Sequence, residues 1–301
     1  MPEKRSNLLL WIILGSGALL FFVLCLLALA SFFSGAAYEG LPVGGNRIAS
    51  LEVEGQISDA TEFVEQLKDY GNRSGVRSVV LRINSPGGGV AASQEIYEAI
   101  KKFRAETKKK VVVSMGPVAA SGAYYIACAA DRIFANPGTI TGSIGVIAEW
   151  YNYGELLRWA KTQDIVIKSG AFKDAGSPTR PLTEEERAYF QSLIDNMHNQ
   201  FVSVVAENRK MKEEAVRPLA DGRAFTGQQA KDNGLIDEIG TYQDAVAAAA
   251  KMADISGPPR ILTPPKKGPS LLDLLLGESR SLLPRNTDRS ESQIRFQYLW
   301  R

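Results

Sequence analysis

The chain has 301 residues, 45% of them hydrophobic and 23% charged, with a net charge of +2. That is enough chain for one large folded domain with appendages, and it excludes a disordered polymer or a chain built to coat nucleic acid. One histidine, His198, and two cysteines, Cys25 and Cys128, leave little material for Ser-His chemistry, a metal site or a disulfide framework.

Leu8–Phe33 carries no charge. As a helix it exceeds a hydrocarbon core of about 30 Å, so it is expected to span a membrane with some tilt. Lys4 and Arg5 precede it and no charge follows until Glu39. This asymmetry predicts a cytoplasmic residue 1–7 segment, an 8–33 signal anchor and an extracytoplasmic remainder. A cleaved signal with its cut near Ala28–Ala30 or Gly35–Ala37 is the alternative. The residues before Cys25 are not the small ones that precede a lipid-modified cysteine.

After a 34–46 linker, Arg47–Gly55 alternates like a strand, and Ser58 or Asp59 can cap a helix with Phe63, Val64 and Leu67 inward. Val76–Ile83 is a second strand, and Asn84–Gly89 is a glycine-rich turn. A helix follows with Ile96, Ile100 and Phe103 on one face. Val111–Val113 reads as a buried strand that Gly116–Pro117 ends, with a helix from Ala119 to about Ala129. Asp131–Ala135 is a short strand, Tyr153–Thr162 a helix, Asp164–Lys168 a strand and Ser169–Pro178 a loop. Thr183–Glu186 opens a long helix to about Asn208, acidic in its first turn. Thr226 can cap a short helix, Leu235–Gly240 closes the sheet, and Tyr242–Met252 is the last helix. Strand–helix alternation over 47–255 predicts one α/β domain with a largely parallel sheet. The 256–301 tail is proline-rich and basic, with a short amphipathic helix at Ser270–Leu275. Its Ile294–Trp300 end is apolar enough to enter an active site or contact a neighbouring subunit.

Ser121 lies among Ala119, Ala120, Gly122 and Ala123, small neighbours that let another backbone come close. Two readings stand: an ordinary N-cap, or a nucleophile that needs a base. His198, on the surface of a long helix, is a poor base. Lys110, Lys161 and Lys210 have polar or charged neighbours, whereas Lys173 follows Ser169-Gly170-Ala171-Phe172 in a loop of small and apolar residues. A lysine becomes a base when desolvation disfavours its charged form; the plainer reading is a solvated loop lysine. The glycines after Pro86 are either a turn or a set of amides aimed at an anion, and they lack the ending of a phosphate loop.

Arg82–Gly89, Ala119–Tyr125, Thr141–Val146 and Ser169–Asp174, in that order and spacing, resemble signal peptide peptidase A in its short, single-copy form. The resemblance runs from about Arg47 to Met252. It implies the Clp protease/crotonase-like α/β fold of repeated strand-strand-helix units. It also implies a catalytic Ser121 and Lys173, an oxyanion hole at Gly88 and Gly122, and a Ser143 that positions the lysine. No cofactor or metal is implied. The implied partners are hydrophobic signal peptides, the bacterial inner membrane and other copies of the chain, with each site shared between copies. Two rivals are a non-catalytic membrane scaffold and a crotonase-type acyl-coenzyme A enzyme on the same fold.

Overall fold

The computed structural model describes residues 15–17, 19–27, 46–264 and 295–300. It divides into two compact units, Met1–Gly44 and Gly45–Arg301. In the first, residues 15–17 and 19–27 are helical, and Leu19, Leu20, Phe21 and Phe22 are exposed. No helix among the described residues is long and apolar enough to cross a membrane. Both ends of the Leu8–Phe33 span, and the Ser270–Leu275 helix, lie outside the described residues.

In the second unit the parallel strands β1 (Arg47–Glu54), β2 (Val76–Ser85), β4 (Lys110–Ala120), β5 (Arg132–Ala135), β9 (Glu238–Ile239) and β10 (Arg260–Leu262) form one sheet, in the order β10-β1-β2-β4-β5-β9. Its central strands are apolar in near-continuous runs because both faces are covered. Val79, Leu81, Val111 and Val113 face the larger core, under α1 (Thr61–Asn72), α2 (Val90–Thr107), α3 (Gly122–Ala127) and α5 (Glu184–Arg209). The alternate residues Ile48, Val80, Val112 and Phe134 pack beneath Ala245, Ala249 and Ala250 of α8 (Tyr242–Met252). A period of two thus assigns each residue to its layer.

Most expected elements form near their expected limits. Thr183 caps α5 in a reciprocal box with Glu186, and Thr226 does the same with Gln229 for α7 (Gly227–Asp232). Between these helices lies the single turn α6 (Glu213–Val216).

Three expectations near the site are corrected. β4 does not stop at Gly116–Pro117 but runs to Ala120, and the helix starts at Gly122 instead of Ala119. Pro117 lacks an N–H, yet the strand continues: β2 stays on one edge from Lys110 to Ala119, while the other edge changes neighbour from β5 at Val112–Ser114 to β6 (Ile140–Gly142) at Val118–Ala120. The Thr139 hydroxyl bonds the Gly116 carbonyl at 2.8 Å and that of Thr141 bonds Ala119 at 2.7 Å, fastening the second half of the strand. β8 (Ala224–Thr226) extends this corner antiparallel to β6.

Secondly, the glycine segment is not a free turn. Gly87–Gly89 is a short strand, β3, in a second sheet of order β3-β11-β7, with β11 (Arg295–Leu299) and β7 (Ile147–Glu149) antiparallel to their neighbours. Thirdly, Asp164–Lys168 forms no strand. It follows α4 (Gly154–Trp159), and Ile165 and Ile167 are 81% and 97% exposed, so no sheet edge meets it within one chain.

Candidate active site

Ser121 falls at the junction of β4 and α3 with φ 55° and ψ −117°. A non-glycine residue there costs on the order of 1–3 kcal/mol and is held only if its surroundings over-determine it. They do: the Ser121 amide donates to the Gly142 carbonyl at 2.8 Å, and its carbonyl accepts from the Tyr125 amide at 2.9 Å. The capping reading fails, because the side chain makes no capping bond. The residue is 1% exposed, and its Oγ is buried with no hydrogen-bond partner among the described residues. A buried hydroxyl with nothing to bond is a cost that a structural serine normally avoids.

Two glycines near this serine have no room for a side chain. A methyl on Gly122 would lie 2.4 Å from Ser93 Oγ, and Ser93 is itself held by a 2.9 Å bond to the Gly89 carbonyl. A methyl on Gly88 would lie 2.0 Å from the Ile57 carbonyl oxygen. Ile57 bonds β3 from one side, donating to the Gly87 carbonyl at 2.9 Å and accepting from the Gly89 amide at 2.7 Å. Because peptide groups alternate along a strand, the Gly88 N–H and C=O face the opposite edge, where β11 lies. A methyl on Gly87 would stand 2.7 Å from the Gly122 nitrogen, which places β3 against the serine junction.

Ser143 follows the pair Ala120–Gly142, so it sits beside Ser121 at the ends of two paired strands. It too has a positive φ, 49°, and its amide donates to the Arg223 carbonyl at 2.9 Å. The structure therefore brings Ser121, Gly88, Gly122 and Ser143 together.

Lys173 does not join them within one chain. It is exposed, in a series of turns after α4, and Ser121 Oγ has no hydrogen bond to it or to any other group among the described residues. Its loop is nonetheless fastened. Lys168 pairs with Asp174, and Arg180 pairs with Asp174 at 3.1 Å and with Glu186 at 2.5 Å. The bond from Arg180 holds the Glu186 carboxyl down at about 2, and the bond from Lys168 is the main cause that lowers Asp174. His198 bonds the Ala220 carbonyl at 2.7 Å and serves the packing of α5. Cys128 is fully buried and burial pushes its thiol up to about 12, so it remains an inert thiol.

Sequence reasoning missed the brace at Ile57 and the aromatic cluster beside the serine. Tyr97 and Tyr125 meet edge to face at 5.1 Å, and Tyr125 and Phe201 at 5.0 Å. Burial pushes the Tyr125 phenol up to about 12. These rings belong to three helices, and helical periodicity marks each only as core.

A strained, buried serine beside the amides of a glycine strand that accepts an extended chain is the arrangement of a serine protease. Comparison with known proteins agrees and narrows it. The pattern of peptidase family S49 matches residues 103–256, and that of the Clp protease matches residues 44–139. A candidate protease of Synechocystis is 45% identical over 69% of this chain and 75% of that one. A candidate signal peptide peptidase SppA of Enterococcus faecium is 39% identical over 68% of this chain and 63% of that one. Protease 4 of Salmonella typhi is 34% identical over 80% of this chain, which spans only 40% of its length. Among solved structures, a ClpP1 variant from Listeria monocytogenes is similar over 65% of this chain, with a TM-score of 0.43 and 22% identity. The chain belongs to peptidase family S49, with a Clp protease-like α/β fold, and it is a serine protease.

Proposed function

We propose that the chain is a membrane-anchored endopeptidase that degrades remnant signal peptides, using Ser121 as nucleophile and Lys173 of a second copy as general base. The observation that carries this reading is the buried, unpartnered Ser121 Oγ, set beside amides that face an extended chain. Ser121 Oγ adds to a peptide carbonyl while neutral Lys173 accepts its proton. The Gly88 and Gly122 N–H groups stabilise the oxyanion, a contribution of about 3 kcal/mol per donor. The proton passes to the leaving amine as the C–N bond breaks, and water then hydrolyses the acyl-enzyme. Ser143, next to Ser121 on the paired strands, holds the lysine as it enters.

Exposed Leu156, Trp159, Ile165, Ile167 and Phe172 flank or precede Lys173 on one arm. An apolar surface of this kind favours burial against another molecule, and a second copy is the occupant that would also complete the site. Burial there would desolvate the lysine, as a neutral base requires. The apolar run Leu8–Phe33 and the flanking Lys4 and Arg5 support an anchored, extracytoplasmic domain, where exported signal peptides are left behind.

Labelling with an acylating serine-protease inhibitor tests the nucleophile: modification should map to Ser121 and vanish in Ser121→Ala. Labelling elsewhere would refute the assignment. For the substrate, membranes carrying Ser121→Ala should retain cleaved signal peptides that the wild type clears. Equal clearance by both would remove the signal-peptide reading while leaving the protease intact.

A further inference from the structure

Ser121 follows the last residue of β4, and the parallel strands begin at the opposite edge of the sheet. Five neighbouring strands begin there on a cation. Across the order β10-β1-β2-β4-β5, the first or second residue of each strand is Arg260, Arg47, Arg77, Lys110 and Arg132. Neighbouring strands lie about 4.8 Å apart, so the row extends about 20 Å. Lys108 and Lys109 lead into β4, and Arg73 leads into β2.

Folding neutralises only part of this row. Arg132 pairs with Glu238 at 2.6 Å and Arg73 with Asp69 at 2.6 Å, while Arg104 and Lys110 share the one carboxylate of Asp131 at 2.8 and 3.3 Å. Lys109 donates to the Tyr70, Gly71 and Arg73 carbonyls at the end of α1. Arg47, Arg77, Lys108 and Arg260 form no ion pair among the described residues. Arg77 reaches the Ala253 carbonyl at 3.5 Å, and the next residue, Asp254, is exposed and pairs with no cation among the described residues. Arg47 and Arg260 are direct register partners, and like charges at adjacent strand positions repel. At the β4 end of the row a cavity of about 370 Å³ is lined by Lys101, Arg104, Lys108, Lys109 and Lys110 against a single carboxylate, Asp131.

The course of the chain identifies the anion that suits this edge. Arg47 opens β1 and follows the 34–46 linker, at most about 45 Å of extended chain beyond the apolar run Leu8–Phe33. With Leu8–Phe33 in a bilayer, so short a tether keeps the edge where it enters the sheet within reach of lipid headgroups. We propose that the row formed by Arg260, Arg47, Arg77, Lys108 and Lys110 is a docking surface for the anionic headgroups of the membrane that anchors the chain. The proposal rests on the anchored reading of Leu8–Phe33. Lipid phosphates supply the negative charge that the row lacks, and the attraction is one that salt screens. Docked by this edge, the sheet points β4 away from the lipid. Ser121, eleven residues beyond Lys110, then works about 35 Å from the headgroups, and substrate reaches it as an extended chain drawn clear of the bilayer.

The test reconstitutes the full chain in nanodiscs of phosphatidylcholine, alone or with about a third phosphatidylglycerol, and follows acetylation of each lysine by mass spectrometry. Lys108 should react at least about threefold more slowly in the anionic discs, a difference that vanishes near 0.5 M salt. Lys161, exposed beyond α4, should react equally in both. Arg77→Glu combined with Arg260→Glu should make Lys108 equally reactive in both discs while cleavage of a soluble peptide is unchanged. Equal Lys108 rates for the wild type, in discs that retain the chain at high salt, overturn the docking surface and leave the anchor standing. The same slowing produced by inorganic phosphate in neutral discs assigns the row to a soluble anion and overturns the lipid contact. A chain that high salt strips from both discs removes the anchored reading and this proposal with it.

Discussion

Around Ser121 the chain supplies its own constraints: the amide is tied to Gly142, the neighbouring glycines touch Ser93 and Ile57, and the hydroxyls of Thr139 and Thr141 fasten the strand that leads in. Around Lys173 the chain is exposed, Ile165 and Ile167 lie on no sheet, and order comes from ion pairs through Asp174, Arg180 and Glu186. The first region is finished by folding. The second offers apolar surface and a lysine, the proposed base, that does not reach Ser121 within its own chain. The difference points to catalysis that depends on association as well as folding.

The largest expected effects come from removing either half. Ser121→Ala and Lys173→Ala should each lower kcat/KM by about 10³-fold or more, with the purified domains still folded by circular dichroism. Substantial activity in either variant would break the comparison at its root. Next, Gly88→Ala should cost about 100-fold in kcat, because a methyl placed 2.0 Å from the Ile57 carbonyl pushes the donor strand away from the oxyanion. Steady-state kinetics with KM little altered would distinguish this from loss of substrate binding.

Much of the first region could be read in the sequence. The valine run, the capping threonines and the small residues around Ser121 each obey a local rule, and the structure follows those rules. The path of β4 through Gly116–Pro117 could not be read, because a strand that changes neighbours survives a proline through contacts far away in the chain. The glycines after Pro86 look like a turn for the same reason: their strand character depends on Ile57 and on β11, both distant in sequence. In the second region Asp164–Lys168 has a strand's β-branched run but no neighbour to pair with among the described residues, so propensity alone gave the wrong element.

The double substitution Ile167→Ser with Trp159→Ser should lower the native mass measured by light scattering and reduce activity by about 10-fold, since both side chains are candidates for burial against a second copy. An unchanged mass would show that the arm is not an interface. A smaller effect is expected from acid. Glu186 titrates at about 2 in the folded chain against an ordinary 4.5. A lowered carboxyl stabilises above its ordinary value, and that contribution is lost as pH falls from about 4.5 towards 2. Tryptophan fluorescence should change within that window, because Trp150 packs 5.3 Å from Phe190, one turn beyond Glu186 on α5. Arg180→Leu should look acid-treated already at pH 7, and a wild-type signal flat through the window would contradict the role given to the Arg180 pair.

Co-expression of the two inactive chains, Ser121→Ala and Lys173→Ala, tests the shared site most directly. If serine and lysine come from different copies, random assembly pairs an intact serine with an intact lysine at about a quarter of the sites. Activity should then return to about that fraction of wild type. If each chain completes its own site, no mixed assembly contains an intact pair, and activity no higher than that of either variant alone would contradict the account.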